Sequence, residues 1–324
     1  MISVWTRVAA AGLLGLLTSG CGLFGSSDDG GAEQSGLQAG GGSSGASGAA
    51  GSSGASDAPD GGDAGQETGQ QPGCTGLPGP AMVELSSPNG VKYCIDGTEV
   101  TQAHYAAFFA DTKATPGSEH PECTANPSYD PEVPFFPEGT PCGHGDWSPA
   151  QTPNRPVVCV DWCDAFAYCK WAGKRLCGKI GGEPAAYGTS SDLQAAGASE
   201  SEWYNACSQG GTTVYPYGDA YEAKTCAGYE SAPGGQIQTN TDVGTFSNCK
   251  GKAPPFSSVL DLSGSVYEFT DESFPGAPGV NDRAYRGGSF ADPGAEAQTC
   301  RSLSGASPTY RTNDTGFRCC KNLL

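Results

Sequence analysis

Cysteine is the residue with which this chain could do the most chemistry, because 15 of its 324 residues are cysteines and 14 of them lie beyond Cys21. Thiolates bind zinc and iron–sulfur clusters, usually through closely spaced pairs such as Cys-x2-Cys. No such pair occurs here, and the nearest spacings are Cys159-x3-Cys163 and the adjacent Cys319 and Cys320. The even number of remaining cysteines predicts up to seven disulfides and an oxidising compartment.

Motifs of hydrolases and of iron enzymes are missing from the sequence. No Gly-x-Ser-x-Gly lies between a predicted strand and a helix, and Ser247-Asn-Cys-Lys250 lacks the companion motifs of Ser-x-x-Lys enzymes. The histidines are His104, His120 and His144, and no two of them form a His-x3-His pair. We interpret them as surface or loop residues and expect no non-haem iron site.

The elements that could position a site are short. Met82–Leu85 and Val91–Ile95 are strand-like runs on either side of Asn89-Gly90, which is a hairpin signal. Thr101 is a candidate cap for a following helix. The stretch from 112 to 155 is rich in proline and glycine and is predicted to be mostly loop.

The strongest helix signal starts at Asp161, a candidate N-cap. Gly173 stands where a left-handed C-terminal cap belongs, and Ser199 and Glu202 spell a capping box for a second helix through Cys207. The first of these helices carries an apolar stripe at helical spacing, made of Trp162, Ala165, Phe166, Cys169 and Ala172. Together with the strands, this pattern predicts an α+β domain with little regular structure.

Residues 1–20 have the pattern of an export signal peptide. Arg7 supplies the positive charge and Val8–Leu17 the apolar stretch, which is shorter than the ~20 residues that span a bilayer. Small residues then precede Cys21, as in a lipobox, in which the cysteine receives a lipid. We therefore expect lipidation at Cys21; an ordinary cleaved signal with an incidental cysteine is the alternative.

Residues 21–73 are predicted to be a lipidated, disordered linker. Of the 52 residues from Gly22 to Gly73, 17 are glycine, and the segment has seven acids and no base. Such a composition cannot form a core, and a coil of this length reaches ~40 Å. With a net charge of −18, the chain is a poor partner for nucleic acid. We expect a lipid-anchored protein of the bacterial cell envelope, on the outer-membrane or periplasmic face.

The remainder, residues 74–324, contains a series of aromatic- and glycine-rich motifs in a fixed order. The motifs are Pro156–Ala165, Trp171–Leu176, Glu202–Cys207, Tyr215–Asp219, Leu260–Asp271, Tyr285–Phe290 and Asn313–Cys319. This order resembles that of the formylglycine-generating enzymes, the sulfatase-modifying factors, from about Ala81 to Asn322. The resemblance implies one disulfide-rich α+β domain with a C-type-lectin-like topology.

Two disulfides are implied by the resemblance alone. Members of that family from oxidising compartments often join the cysteines that correspond to Cys169 and Cys319, and those that correspond to Cys207 and Cys300. The other ten cysteines of the domain cannot be paired from the sequence. In the family, the arginines of these motifs mostly pair with buried carboxylates and carbonyls, and the same is expected of Arg175, Arg286, Arg301, Arg311 and Arg318.

The segment from Asp261 to Glu268 resembles a calcium loop of the family. The resemblance implies ligands from the side chains of Asp261 and Glu268 and from the backbone carbonyls of Gly264 and Val266, oxygens that suit a hard cation. The alternative is a solvated turn with two unconnected acids. A second family calcium site, around residues 225–242, remains in doubt because a ligand position is occupied by Ala227.

Copper is argued against by the sequence. Catalytic members of the family bind copper through a Cys-x4-Cys pair that follows Gly-Gly-Ser-aromatic, whereas here Ser289-Phe290 is followed by Ala291–Ala297 without a cysteine. Cu(I) prefers thiolates. Ser289 matches a family active-site serine and is a possible groove residue, although it is better interpreted as a hydrogen-bonded turn residue.

Two functions follow from the retained motifs and the missing thiolates. The first is a non-catalytic module that binds an extracytoplasmic protein, peptide or glycan and uses calcium. The alternative is an oxidoreductase of the formylglycine-generating type, which acts on protein cysteine or another sulfur substrate through a metal centre that the sequence does not identify.

Overall fold

The computed structural model of the chain describes residues 73–132, 142, 146–187, 189–232, 239–275 and 281–323. The predicted signal peptide, Cys21 and all of the linker except Gly73 lie outside these residues. The described part contains four short helices and eight strands, separated by long stretches of loop. None of its helices is long and apolar enough to cross a membrane. The α+β expectation is confirmed.

The first sheet places the two ends of the domain side by side. The predicted hairpin is present, with Met82 opposite Asp96 and a left-handed Gly90 (φ 84°) in the turn. All pairings in this sheet are antiparallel. Its strand order is β1 (Met82–Ser86), β2 (Lys92–Asp96), β8 (Cys319–Asn322) and β3 (Arg175–Leu176).

The second sheet carries the Asp261–Glu268 segment into the core. Its pairings are antiparallel except for the parallel one between β4 and β7, which places Glu268 beside Gly316. An irregularity in β4 between Phe269 and Ser273 shifts the register with β5. The strand order is β6 (Leu303–Ala306), β5 (Asn281–Arg286), β4 (Tyr267–Pro275) and β7 (Thr315–Phe317).

Helices α1 (Gln102–Asp111) and α2 (Trp162–Trp171) begin at the predicted caps. The side chain of Thr101 accepts from the amide of His104, and Asp161 forms a full capping box with Asp164. Gly173 adopts the predicted left-handed conformation, with φ 69°. The stripe of α2 is buried except for Phe166, which is half-buried. The caps predicted from the local sequence are therefore confirmed for both helices.

The start of α4 (Glu202–Cys207) was predicted wrongly. Its N-cap is Ser201, whose hydroxyl accepts from the amide of Tyr204, and not Ser199. Glu202 does not fold back onto a cap; its buried carboxylate forms an ion pair with Arg175 at 2.5 Å. The long-range ion pair is stronger than a local capping contact, because a buried carboxylate needs a cation. A further short helix, α3 (Ser190–Ala195), precedes it.

Seven disulfides join all fourteen cysteines of the domain. Cys169–Cys319 and Cys207–Cys300 are the pairs that the family resemblance implies, and they span 150 and 93 residues. The other pairs are Cys74–Cys94, Cys123–Cys163, Cys142–Cys159, Cys177–Cys320 and Cys226–Cys249. The adjacent cysteines of β8 thus tie this strand both to α2 and to the segment after β3.

Candidate functional site

The segment from Asp261 to Glu268 is a tightly curled loop. Asp261, Gly264 and Ser265 all adopt left-handed φ values, of 61°, 71° and 59°. A side chain at Gly264 would meet the carbonyl oxygen of Ala227 at 2.6 Å, so glycine is required there. That same carbonyl accepts from the amide of Ser265. The loop thereby brings both of its carboxylates into the protein interior.

Both carboxylates of the loop are buried, but their partners differ. Glu268 Oε2 accepts from Arg318 Nε at 2.6 Å and from Trp203 Nε1 at 2.8 Å, while its Oε1 accepts from Arg318 Nη2 at 2.7 Å. Among the described residues, the one hydrogen-bond donor to Asp261 Oδ2 is the backbone amide of Gly244, at 2.6 Å. Burial raises the pKa of Asp261 to about 6 against the opposing effects of that amide and Arg318.

A third carboxylate, Glu99, belongs to the same cluster and was missed in the sequence. Its side chain is fully buried, and neither oxygen has a hydrogen-bond partner among the described residues. The guanidinium of Arg318 is 3.9 Å away. Burial, and next the charge of Asp261, raise the pKa of Glu99 well above its ordinary value. Glu99 lies two residues before the α1 cap, and no motif there indicates a ligand. Only the fold brings its side chain close to this loop.

The charges of this cluster fit a hard cation. Glu99, Asp261 and Glu268 face a single guanidinium, and the unpartnered oxygens of Glu99 offer ligands of the type that calcium prefers. The ligand atoms of the three carboxylates do not all lie within 4.8 Å of one another. Since Glu268 is bound to Arg318, Asp261 and Glu99 would be the main side-chain ligands, with the carbonyls of Gly264 and Val266 in the same loop.

Elsewhere in the described residues, the one cluster of ligand-type side chains is Glu119, Cys123 and Cys163. Its two cysteines are bonded to each other, so they offer no thiolate. At the doubtful second calcium site, Ala227 supplies no side-chain oxygen, and residues 233–238 lie outside the described residues. His104 and His120 serve in helix caps, and His144 is not described.

Ser289 sits between two aspartates. Its buried hydroxyl donates to Asp292 Oδ2 at 2.7 Å and lies 3.2 Å from Asp314 Oδ2, and it accepts from the amide of Ala291. Asp314 also accepts from the hydroxyl of Thr312 at 2.9 Å. Ser289 is therefore a hydrogen-bonded turn residue, and it holds two carboxylates close together.

Three half-buried tyrosines, Tyr267, Tyr285 and Tyr310, surround this aspartate pair. The rings of Tyr267 and Tyr285 meet edge to face, with centroids 4.9 Å apart. Burial raises the pKa of all three phenols; the charge of Asp292 adds to this for Tyr267, and that of Asp314 for Tyr310. No ion pair within the described residues includes either aspartate. We call these five residues and Ser289 the acidic groove, because the family resemblance predicts Ser289 as a groove residue.

The acidic groove does not fit copper. The segment Ala291–Ala297, which follows Ser289-Phe290, has no cysteine. Every cysteine of the domain is already bonded to another cysteine. Cu(I) selects thiolates over carboxylates and phenols, so the groove offers the wrong ligands for it.

The backbone beneath the groove depends on Gly288. Its φ is 71°, and an added Cβ would collide with the carbonyl of Ala297. Gly294 has a similar positive φ of 91° but open space around it. We expect Gly294→Ala to lower the free energy of unfolding by ~1 kcal/mol and Gly288→Ala by at least ~2 kcal/mol more. Urea denaturation measures both, and equal losses would contradict the collision.

Four of the five motif arginines pair with buried carboxylates, as expected. Arg301 differs, since it donates to the carbonyl of Gln194 and stacks 4.5 Å above the ring of Tyr204. The four ion pairs are Arg175–Glu202, Arg286–Glu272, Arg311–Asp161 and Arg318–Glu268. These four ion pairs therefore hold the scaffold together.

Residues 86–323 match the model of the sulfatase-modifying factor enzyme 1-like domain. The chain is 27% identical over 195 residues to formylglycine-generating enzyme of Bos taurus, which covers 53% of this chain and 45% of the enzyme. The Streptomyces coelicolor enzyme is 27% identical over 197 residues, covering 52% of each chain.

A third relative is described as inactive. Inactive C-alpha-formylglycine-generating enzyme 2 of Mus musculus is 29% identical over 178 residues, which are 51% of this chain and 48% of that protein. The chain spans about half the length of the curated relatives it matches. Since the family model covers most of the described fold, the chain belongs to the family of the sulfatase-modifying factor enzyme 1-like domain.

Proposed function

We propose that this chain is a membrane-anchored extracytoplasmic lipoprotein whose domain binds a ligand without catalysing an oxidation. The observation that carries the proposal is the use of all fourteen domain cysteines in disulfides. No thiolate is left for a copper centre of the formylglycine-generating type. The anchoring rests on the lipobox-like Cys21 and the linker, and the disulfides agree with an oxidising compartment.

The ligand class follows from the charge of the acidic groove. Asp292 and Asp314 are partly buried and form no ion pair with a described residue, so a positive ligand would relieve their mutual repulsion. Tyrosine rings attract cations through their faces. A lysine or arginine side chain of an extended peptide combines a charged head with an apolar stem that can lie along Tyr267 and Tyr285. The groove is thus suited to a basic peptide.

Calcium has a structural part in this proposal. An ion held by Asp261 and Glu99 would neutralise the excess charge beside Arg318 and fix the loop that leads into β4. Strand β4 carries Tyr267 of the acidic groove, so the loop and the groove are directly connected. A non-catalytic role agrees with the name of one relative, which is called inactive.

The test is peptide binding measured by fluorescence anisotropy in calcium buffer. Nine-residue glycine–serine peptides would carry a central lysine, or norleucine as its neutral analogue. We expect the lysine peptide to bind at least tenfold more tightly, which is ~1.4 kcal/mol. Asp314→Asn and Asp292→Asn should abolish that preference, whereas Glu84→Gln, which removes the same charge from exposed β1, should not. Equal binding of both peptides to the wild type would refute the proposal.

A further inference from the structure

One cavity shares no lining residue with the acidic groove. It has a volume of about 320 Å³ and is formed by the segment 184–187 and the facing ends of β4 and β5. Pro184 and Phe274 provide apolar wall, and Phe274 packs closely on Gly305, where an added Cβ would collide with its ring. The polar wall consists of Tyr187, Asp282 and the ion pair of Arg283 with Glu122. This volume is at the lower end of the ~300–1,000 Å³ of small-molecule sites.

Beside this cavity, three buried polar atoms have no hydrogen-bond partner among the described residues: Glu272 Oε1, Arg286 Nη2 and the hydroxyl of Tyr187. Glu272 and Arg286 are 0% and 2% exposed, and they are joined only through Arg286 Nε and Glu272 Oε2 at 2.5 Å. Glu272 and Arg286 do not line the cavity themselves, but Tyr187 lines it, and Ala185 of the same wall pairs with Glu272 in a β-bridge. Buried polar groups without partners are rare in native proteins.

The chemistry of these atoms selects a neutral ligand with hydroxyl groups. Glu272 needs a donor, and Arg286 needs an acceptor. Their charges cancel within the ion pair, so a charged ligand gains nothing from them. A hydroxyl donates and accepts at once, and further hydroxyls can donate to the carboxylate of Asp282 at the other side of the cavity. A sugar ring also has C–H groups that can pack on Pro184 and Phe274.

We propose that the cavity between the segment 184–187 and the paired strands β4 and β5 binds a neutral sugar unit of a glycan, with Tyr187 and Asp282 as contact residues. The site is separate from the acidic groove and does not depend on the ligand proposed there. The competing account is a buried water only, which would bridge Glu272, Arg286 and Tyr187 and leave the cavity without a ligand.

The experiment is saturation-transfer NMR on the full chain in calcium buffer. The probes are the methyl glycosides of glucose, galactose, mannose and N-acetylglucosamine. We expect at least one to give a saturable signal. Tyr187→Phe and Asp282→Asn should each weaken it at least tenfold. Tyr217→Phe, a half-buried tyrosine outside the cavity, and Asp314→Asn in the groove should bind like the wild type.

Two results would overturn the inference. Absence of a saturable signal with all four glycosides would leave a buried water only. Unchanged binding by both Tyr187→Phe and Asp282→Asn would place the sugar elsewhere on the protein. Melting curves establish that each variant is folded, and Tyr187→Phe removes a single oxygen from a half-buried side chain, so a folded variant is expected. Loss of peptide binding in Asp314→Asn with sugar binding retained would separate this site from the groove.

Discussion

Reduction of the disulfides is expected to unfold the domain at temperatures at which the oxidised protein is fully native. The bridges Cys169–Cys319 and Cys177–Cys320 close loops of 150 and 143 residues. On chain-entropy grounds, a bridge that closes a ~100-residue loop stabilises the native state by ~4.7 kcal/mol, which is a large part of the ~5–15 kcal/mol stability of a domain. Thermal melts with and without dithiothreitol measure this effect.

Removal of one disulfide at a time tests whether the loss of stability depends on the length of the loop that the disulfide closes. Replacing Cys207 and Cys300 by alanine should lower the melting temperature by roughly 4–20 °C, from a loss of ~2–5 kcal/mol. Replacing Cys226 and Cys249, which close only 23 residues, should cost ~1 kcal/mol less because the shorter loop constrains the unfolded chain less. An identical melting temperature under reducing and oxidising conditions would contradict the role of the disulfides in stabilising the domain.

Removal of calcium is expected to lower the melting temperature by roughly 5–11 °C. An ion that binds only the native state contributes ~2.7 kcal/mol at a hundredfold excess over its Kd. Without the ion, Glu99, Asp261 and Glu268 repel one another in a buried cluster that has one guanidinium. Differential scanning calorimetry in EDTA and in millimolar calcium measures the difference.

Two substitutions identify the ligands. Asp261→Asn keeps a residue that tolerates the left-handed φ of 61°, and Glu99→Gln keeps the shape of the side chain. Each should remove most of the response to calcium. Asp292→Asn in the acidic groove is the matched control and should respond like the wild type. If the wild type melts identically in EDTA and in calcium, the cluster holds no ion.

Sequence motifs predicted those turns and helix ends whose conformation depends on contacts between residues close in sequence. The Asn89-Gly90 turn, the Thr101 and Asp161 caps and the left-handed Gly173 are all decided within a few residues. The start of α4 was wrong because the buried pairing of Glu202 depends on a partner 27 residues away. Local capping patterns cannot register such a partner.

The candidate sites depended more on distant contacts. The motif at Asp261–Glu268 gave two of the three carboxylates of the buried cluster. Glu99 joins them because the chain after β2 contacts the start of the loop, where the carbonyl of Gly97 accepts from the amide of Leu260. The carboxylates beside Ser289 were similarly overlooked. Asp292 lies in the segment Ala291–Ala297, which was considered only for its lack of cysteine. Asp314 lies in the turn before β7. Their proximity is a property of the second sheet, not of sequence spacing.

The metal content of the purified, oxidised protein tests the central claim most directly. After incubation with excess calcium and Cu(I), followed by dialysis, mass spectrometry of the metals should find about one calcium ion per chain, as expected for a set of oxygen ligands. It should find no stoichiometric copper or iron, because every domain cysteine is in a disulfide. Copper or iron retained at about one ion per chain would contradict a non-catalytic binding module and favour the oxidoreductase.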